Sequence, residues 1–181
     1  MKGKKYMTKT VRILNNLVES FVDYPDNESL SICVVMMGCG HNCKGCQNPL
    51  FQNPEYLEGT RIVSVDELSE ELKNICHRNF TNKIVLSGGD PLFKINLDFT
   101  KELLEKMSSE YDFCIYTGYD IDYVKQNNVK GYQFIKCGTF DISKKRDSDK
   151  TDNEIIFASP NQILYNGNNE PLSKDGIYKF N

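Results

Sequence analysis

An apolar run, Ser31-Ile32-Cys33-Val34-Val35-Met36-Met37, stops at Gly38 and is followed at once by Cys39, Cys43 and Cys46. From Ile32 to Met37 no polar residue interrupts it, so the run predicts a strand covered on both faces rather than one facing water. A strand of that kind needs packed layers on either side of its sheet. It also delivers a cysteine-rich loop at its C-terminal end.

The rest of the chain repeats a strand-then-helix rhythm. Ser64-Val65-Asp66-Glu67 has capping-box spacing, and Val65, Leu68, Leu72 and Ile75 recur at helical intervals, which predicts a helix over about 65–78. Lys83-Ile84-Val85-Leu86-Ser87 reads as a strand closed by Gly88-Gly89-Asp90-Pro91. Phe99, Leu103, Leu104 and Met107 mark another helix. Asp112 to Thr117 is a further strand ending at Gly118, Asp120 caps a short helix through about Gln126, and Tyr132 to Lys136 is a fourth strand. Repeated β–α units imply a parallel sheet with crossover helices. The motifs at 38–49, 87–91 and 117–119 all follow predicted strands, and in α/β folds that strand edge is where ligands bind. They are expected to share one site.

Length limits the architecture. A closed eight-stranded β/α barrel takes ~250 residues, and this chain has 181. The fold expected is therefore α/β, a partial (open) β/α barrel with a mostly parallel sheet, in one domain spanning 1–181. Residues 1–10 are expected to pack loosely, and the polar stretch 143–153 to form an exposed charged loop.

Composition narrows function. A formal net charge of -3 offers no basic footprint for nucleic acid. The apolar run is far short of the ~20 residues needed to cross a bilayer, and the N-terminal lysines precede no apolar segment of a secretory signal. These features predict a cytoplasmic protein with no nucleic-acid or membrane partner. Seven cysteines cannot all pair, and three of them fall within eight positions, which fits metal ligation in a reducing compartment.

The spacing C-x3-C-x2-C leaves two metal readings open. A 4Fe-4S cubane held by three thiolates keeps one iron free for an outside ligand. Alternatively, Cys39, His41, Cys43 and Cys46 form a Cys3His donor set for structural zinc, although four ligands within eight residues crowd a tetrahedron. The His41 side chain is left outside the predicted metal site. Ser87-Gly88-Gly89-Asp90 adds a strand-end turn whose glycines allow close backbone approach to a ligand, with amides and a carboxylate at hand.

From roughly Val11 to Tyr165 the chain resembles the radical S-adenosylmethionine enzymes, and within them the subgroup that activates anaerobic ribonucleoside-triphosphate reductase. The resemblance is carried by Glu19 to Pro25, which is similar to the segment before the first strand, and by Gly38-Cys39 through Cys46-Gln47-Asn48-Pro49. Ser87-Gly88-Gly89-Asp90-Pro91-Leu92, Tyr116-Thr117-Gly118-Tyr119 and Ser159-Pro160-Asn161-Gln162 follow in the same order. It implies a barrel of the radical S-adenosylmethionine type. It implies Cys39, Cys43 and Cys46 as cluster ligands, with Gly45, Cys46, Gln47, Ser87, Gly88, Gly89 and Asp90 around S-adenosylmethionine. No catalytic residue is expected beyond cluster and cofactor. The implied reaction is one-electron cleavage of the cofactor to a 5'-deoxyadenosyl radical, which installs a glycyl radical on the large subunit of anaerobic ribonucleoside-triphosphate reductase. An external reductant such as flavodoxin would supply the electron. The chain departs from the wider pattern at Gly45 and Gln47, where aromatics are common, and at Cys137, where an acid is expected.

Two other functions compete with this one: an activase of a different glycyl-radical enzyme or a small radical enzyme acting on a metabolite, and a non-enzymatic zinc-binding module. Cys33, Cys76 and Cys114 sit in apolar settings and are expected to be small buried hydrophobes. Tyr116, Tyr119, Asn161 and Gln162 read either as site residues or as packing and turn residues.

Overall fold

Residues 9–26 and 30–180 are described by a computed structural model. The strands are β1 (Thr10–Leu14), β2 (Val18–Ser20), β3 (Ser31–Met36), β4 (Thr60–Ser64), β5 (Lys83–Gly88), β6 (Asp112–Tyr116), β7 (Phe134–Cys137), β8 (Asp149–Lys150), β9 (Glu154–Ile156), β10 (Ile163–Asn166) and β11 (Ile177–Lys179). The helices are α1 (Val65–Arg78), α2 (Leu97–Met107) and α3 (Ile121–Gln126).

β3, β5, β6 and β7 lie parallel and adjacent, each joined to the next by a crossover. Antiparallel strands extend this centre: β10 beyond β7, then β1 and β4 beyond β3, with β2 also on β3. The resulting eight-stranded sheet runs β10-β7-β6-β5-β3-β1-β4, and its two edges do not meet among the described residues. It is an open α/β sheet with a parallel centre, as its length requires.

The two faces differ in what covers them. Ile32, Val34 and Met36 of β3 join Ile84, Leu86, Phe113, Ile115 and Ile135 under the helices, where Leu68 and Leu72 of α1 and Phe99 and Leu103 of α2 close a large apolar core. The alternate residues Cys33, Val85 and Cys114 point the other way, against Tyr24, Tyr116 and Phe134. This period-two split, apolar on both sides, explains the uninterrupted run that marked β3 in the sequence.

α1 begins where expected. Ser64 Oγ accepts the Glu67 amide at 3.2 Å while the Glu67 carboxylate accepts the Ser64 amide at 2.8 Å, completing the capping box. α3 has a simple N-cap, Asp120, whose carboxylate accepts the Tyr123 amide at 2.8 Å.

Two expectations need correction. The first strand is β1, ahead of the Glu19–Pro25 segment, because Val11 and Ile13 pair with β4 and bury in the core. The stretch 143–153 is largely exposed but is not a bare connection: it carries β8, which pairs with β9. Together with β11 these strands form a second, three-stranded antiparallel sheet. Lys150 fastens this sheet across the fold, donating to the carbonyls of Phe21 at 2.8 Å and Tyr24 at 3.1 Å. Finally, the expectation for residues 1–10 falls mostly on 1–8, which lie outside the described residues.

Candidate active site

β3, β5 and β6 end side by side, so the loops that follow them converge. Together with the loop after β7 and the second sheet they enclose a cleft of about 550 Å³, bounded by Cys39, Cys43, Cys46, Gly88, Gly89 and Thr117 among others. The expected site residues Gln47, Ser87 and Asp90 lie along the same cleft. Gly45 sits beside it, and its positive φ of 73 helps turn the cysteine loop.

The double glycine has a reason that sequence alone does not show. A Cβ on Gly88 would stand 2.5 Å from the Met36 carbonyl oxygen, and one on Gly89 would stand 2.5 Å from those of Gly38 and Phe51. The close approach demanded of these glycines is therefore to the chain's own backbone, below the cysteine loop. Two hydrogen bonds lock that contact: Gly89 N–H to Met36 O at 2.7 Å and Asp90 N–H to Gly38 O at 2.8 Å.

Asp90 is wholly buried and its carboxylate is fully engaged. It accepts the Leu92 amide at 2.8 Å, the Thr117 hydroxyl at 2.8 and 3.0 Å, the Gly118 amide at 2.9 Å and His41 Nε2–H at 2.9 Å. Hydrogen bonds to an ionised group are worth about 1.5–3 kcal/mol each, so this residue ties three loop segments together beneath the cleft. Its side chain offers no spare lone pair toward a ligand.

All three motif cysteines are partly exposed, whereas Cys33, Cys76, Cys114 and Cys137 are buried, as expected for the first three of those four. Cys137 packs in the main core. Burial pushes the Cys39 thiol up to about 11, opposed by the His41 backbone N–H that its sulfur accepts, with the charges of Asp90, Cys43 and Cys46 adding to the rise. Metal binding there must displace a proton.

The three cysteine sulfurs are not gathered as closely as one zinc ion would hold them. Three thiolates on a single tetrahedral zinc stand ~3.8 Å apart, from a Zn–S length of ~2.3 Å. Among the described residues, the group of three metal-binding atoms within 4.8 Å of one another is Cys39, His41 and Asp90, not the three cysteines. A four-iron cubane spans more widely separated thiolates, so the donor set fits a cluster better than one zinc ion. The Cys39–His41–Asp90 grouping is itself a poor ion site, because His41 and Asp90 already spend their atoms on each other and on Thr117 and Gly118.

Lys136 was not expected at the site, and the structure settles what the residues left open, Tyr116, Tyr119, Asn161 and Gln162, touch. Lys136 on β7 brings its ammonium over the Tyr116 ring at 4.5 Å on the cleft wall, and burial lowers its pKa. Tyr116 OH donates to the Asp23 carbonyl at 2.7 Å. Tyr119 stacks on Tyr123 at 3.8 Å and meets the His41 ring edge-on at 4.4 Å. Asn161 and Gln162 make a turn, donating to the carbonyls of Thr139 at 2.7 Å and Gly138 at 3.5 Å. Apart from the Tyr119–Tyr123 stack, these contacts join residues too far apart in sequence to be read from spacing.

A cysteine-lined cleft at the parallel edge of an open α/β sheet suits an iron-sulfur protein, and comparison with known proteins gives that class. The chain belongs to the family of 4Fe-4S single cluster domains, which matches residues 28–165. It is similar to the anaerobic ribonucleoside-triphosphate reductase-activating protein of Enterobacteria phage T4, at 23% identity over 87% of this chain and 93% of the relative. Proteins of the same name from Pasteurella multocida (26%, 79% and 91%) and Escherichia coli strain K12 (25%, 80% and 93%) match over similar shares. Among solved structures, QueE from Escherichia coli aligns with a TM-score of 0.39 and 18% identity, over 59% of this chain and 52% of that one.

Proposed function

We propose that this chain is an activating enzyme that uses a 4Fe-4S cluster and S-adenosylmethionine to install a glycyl radical on anaerobic ribonucleoside-triphosphate reductase. One observation carries the reading: three cysteines, one ligand short of a complete four-iron site, share a single cleft with the Gly88-Gly89 turn. The relatives, matched over most of their length, are activating proteins of that reductase, which supports the choice of partner.

Cys39, Cys43 and Cys46 would hold the cluster, leaving one iron for the cofactor. When bound, the two groups together supply one-electron cleavage of a carbon–sulfur bond to methionine and a 5'-deoxyadenosyl radical, able to take a hydrogen atom from a glycine of the partner. The chain's own residues bind and shield. Ser87, Gly88, Gly89, Cys46 and Gln47, which line the cleft, and Gly45 beside them would contact the cofactor. Asp90 acts indirectly, by holding the loops that carry these groups. Ile155 of β9 and Phe157 just after it, both buried, give the cleft an apolar wall that excludes water. The electron would come from an external reductant such as flavodoxin, in the cytoplasm.

To test this, protein reconstituted anaerobically with iron and sulfide is mixed with reductant, S-adenosylmethionine and an anaerobic ribonucleoside-triphosphate reductase. The expected outcome is a glycyl-radical signal in electron paramagnetic resonance. A signal with another glycyl-radical enzyme alone refutes the partner. Colourless protein holding stoichiometric zinc and no iron refutes the enzyme altogether.

A further inference from the structure

We infer that His41 is a positioning residue, which sets the middle of the cysteine loop in place by gripping Asp90. The inference takes over the three-cysteine cluster site of the proposed function and assigns a role to the one histidine inside it.

The loop has few ties of its own. Its start is pinned by Gly38 N–H to Phe51 O at 2.8 Å and Cys39 N–H to Gln52 O at 3.0 Å. From residue 40 to residue 45, the hydrogen bond that reaches outside the loop, among the described residues, is His41 Nε2–H to Asp90 Oδ2 at 2.9 Å. Cys46 N–H to Cys43 O at 3.1 Å and His41 N–H to the Cys39 sulfur are internal. Without His41, the stretch that carries Cys43 has no hydrogen bond to the rest of the fold among the described residues, only packing against Phe93, Phe140 and Ile142.

The ring is seated on three sides. Its tip is on Asp90, its edge meets Tyr119 at 4.4 Å, and Tyr119 is backed by Tyr123. On the remaining side lies Gly118, where a Cβ would come within 2.4 Å of His41 Cδ2. The absence of a side chain at Gly118 is thus what admits the imidazole. Asp90 in turn is held by Leu92 after β5 and by Thr117 and Gly118 after β6. His41 therefore references the loop after β3 to both neighbouring strand ends, which fixes Cys39 and Cys43 relative to the Gly88-Gly89 turn. The carboxylate's hydrogen bonds favour this over ligation of an ion by Cys39, His41 and Asp90.

Two variants separate the grip from the ring. His41→Phe keeps a ring against Tyr119 and loses the donor, while His41→Gln keeps a donor near the Nε2 position and loses the ring. In the metal-free protein, hydrogen–deuterium exchange of peptides covering 39–47 is expected to be about tenfold faster in His41→Phe and near wild type in His41→Gln, with α1 unchanged in both. After reconstitution both variants should hold wild-type iron, and His41→Phe should show an altered spectrum of the reduced cluster that His41→Gln restores. Unchanged exchange in His41→Phe overturns the inference, as does fast exchange in His41→Gln. Loss of iron from both would make His41 a ligand, and faster exchange in α1 would make its role merely structural. None of these measurements uses the reductase, so a wrong partner and a wrong role for His41 give different results.

Discussion

Gly89 and Asp90 stand next to each other and do opposite things. Gly89 matters for the side chain it lacks, since its Cβ direction already holds two backbone oxygens at 2.5 Å. Gly89→Ala must push the turn off the cysteine loop, and is expected to cost about 1–3 kcal/mol of stability, measured by urea unfolding. Asp90 matters for what it accepts, and it does so out of reach of solvent. Cys43 belongs to the exposed rim and has no structural duty in the core. Cys43→Ala should therefore leave metal-free stability within about 0.5 kcal/mol of wild type, while abolishing iron incorporation and cofactor cleavage, followed by iron analysis and methionine release. The cysteine triad was legible in the sequence because ligand identity and spacing are local. His41 was not, because its partner lies 49 positions away.

At the scale of elements, α1 carries two separable contributions. Its first turn is held by the reciprocal Ser64 and Glu67 hydrogen bonds, and its buried stripe by Leu68 and Leu72. Ser64→Ala should cost about 1 kcal/mol. Leu72→Ala, which leaves a hole under the sheet, should cost about 2–5 kcal/mol. Chemical denaturation of the metal-free chain distinguishes the two. α1 was readable to its last residue because capping and periodicity are properties of neighbouring residues. β1, β4 and the second sheet were missed for the opposite reason. β1 and β4 pair across some fifty positions, and β8, β9 and β11 have two or three residues each, too few to set a period.

At the scale of the whole molecule, the parallel centre has apolar cover on both faces, and that burial has a consequence for alkaline stability. The thiols of Cys33 and Cys137 are pushed up to about 12 and that of Cys76 to about 11, from an ordinary value of 9.0, chiefly by desolvation. The unfolded chain releases these protons near pH 9 while the folded chain keeps them. Because the unfolded state then binds fewer protons, stability falls as pH rises from about 9 to about 12. Melting temperatures of the metal-free chain from pH 7 to 10.5 should drop above pH 9, with a shallower drop in Cys76→Ala. No helix among the described residues is long and apolar enough to cross a membrane. The sequence by itself determined the order of β3, α1, β5, α2, β6, α3 and β7, the stops at Gly38, Gly88 and Gly118, and the three thiolates, since each depends on residues within a few positions. Only the tertiary structure decided that the double glycine packs on the cysteine loop, that Asp90 is buried under it, and that His41 joins the two. Those are contacts between loops from different strands, and their geometry exists only once the parallel strand ends are side by side.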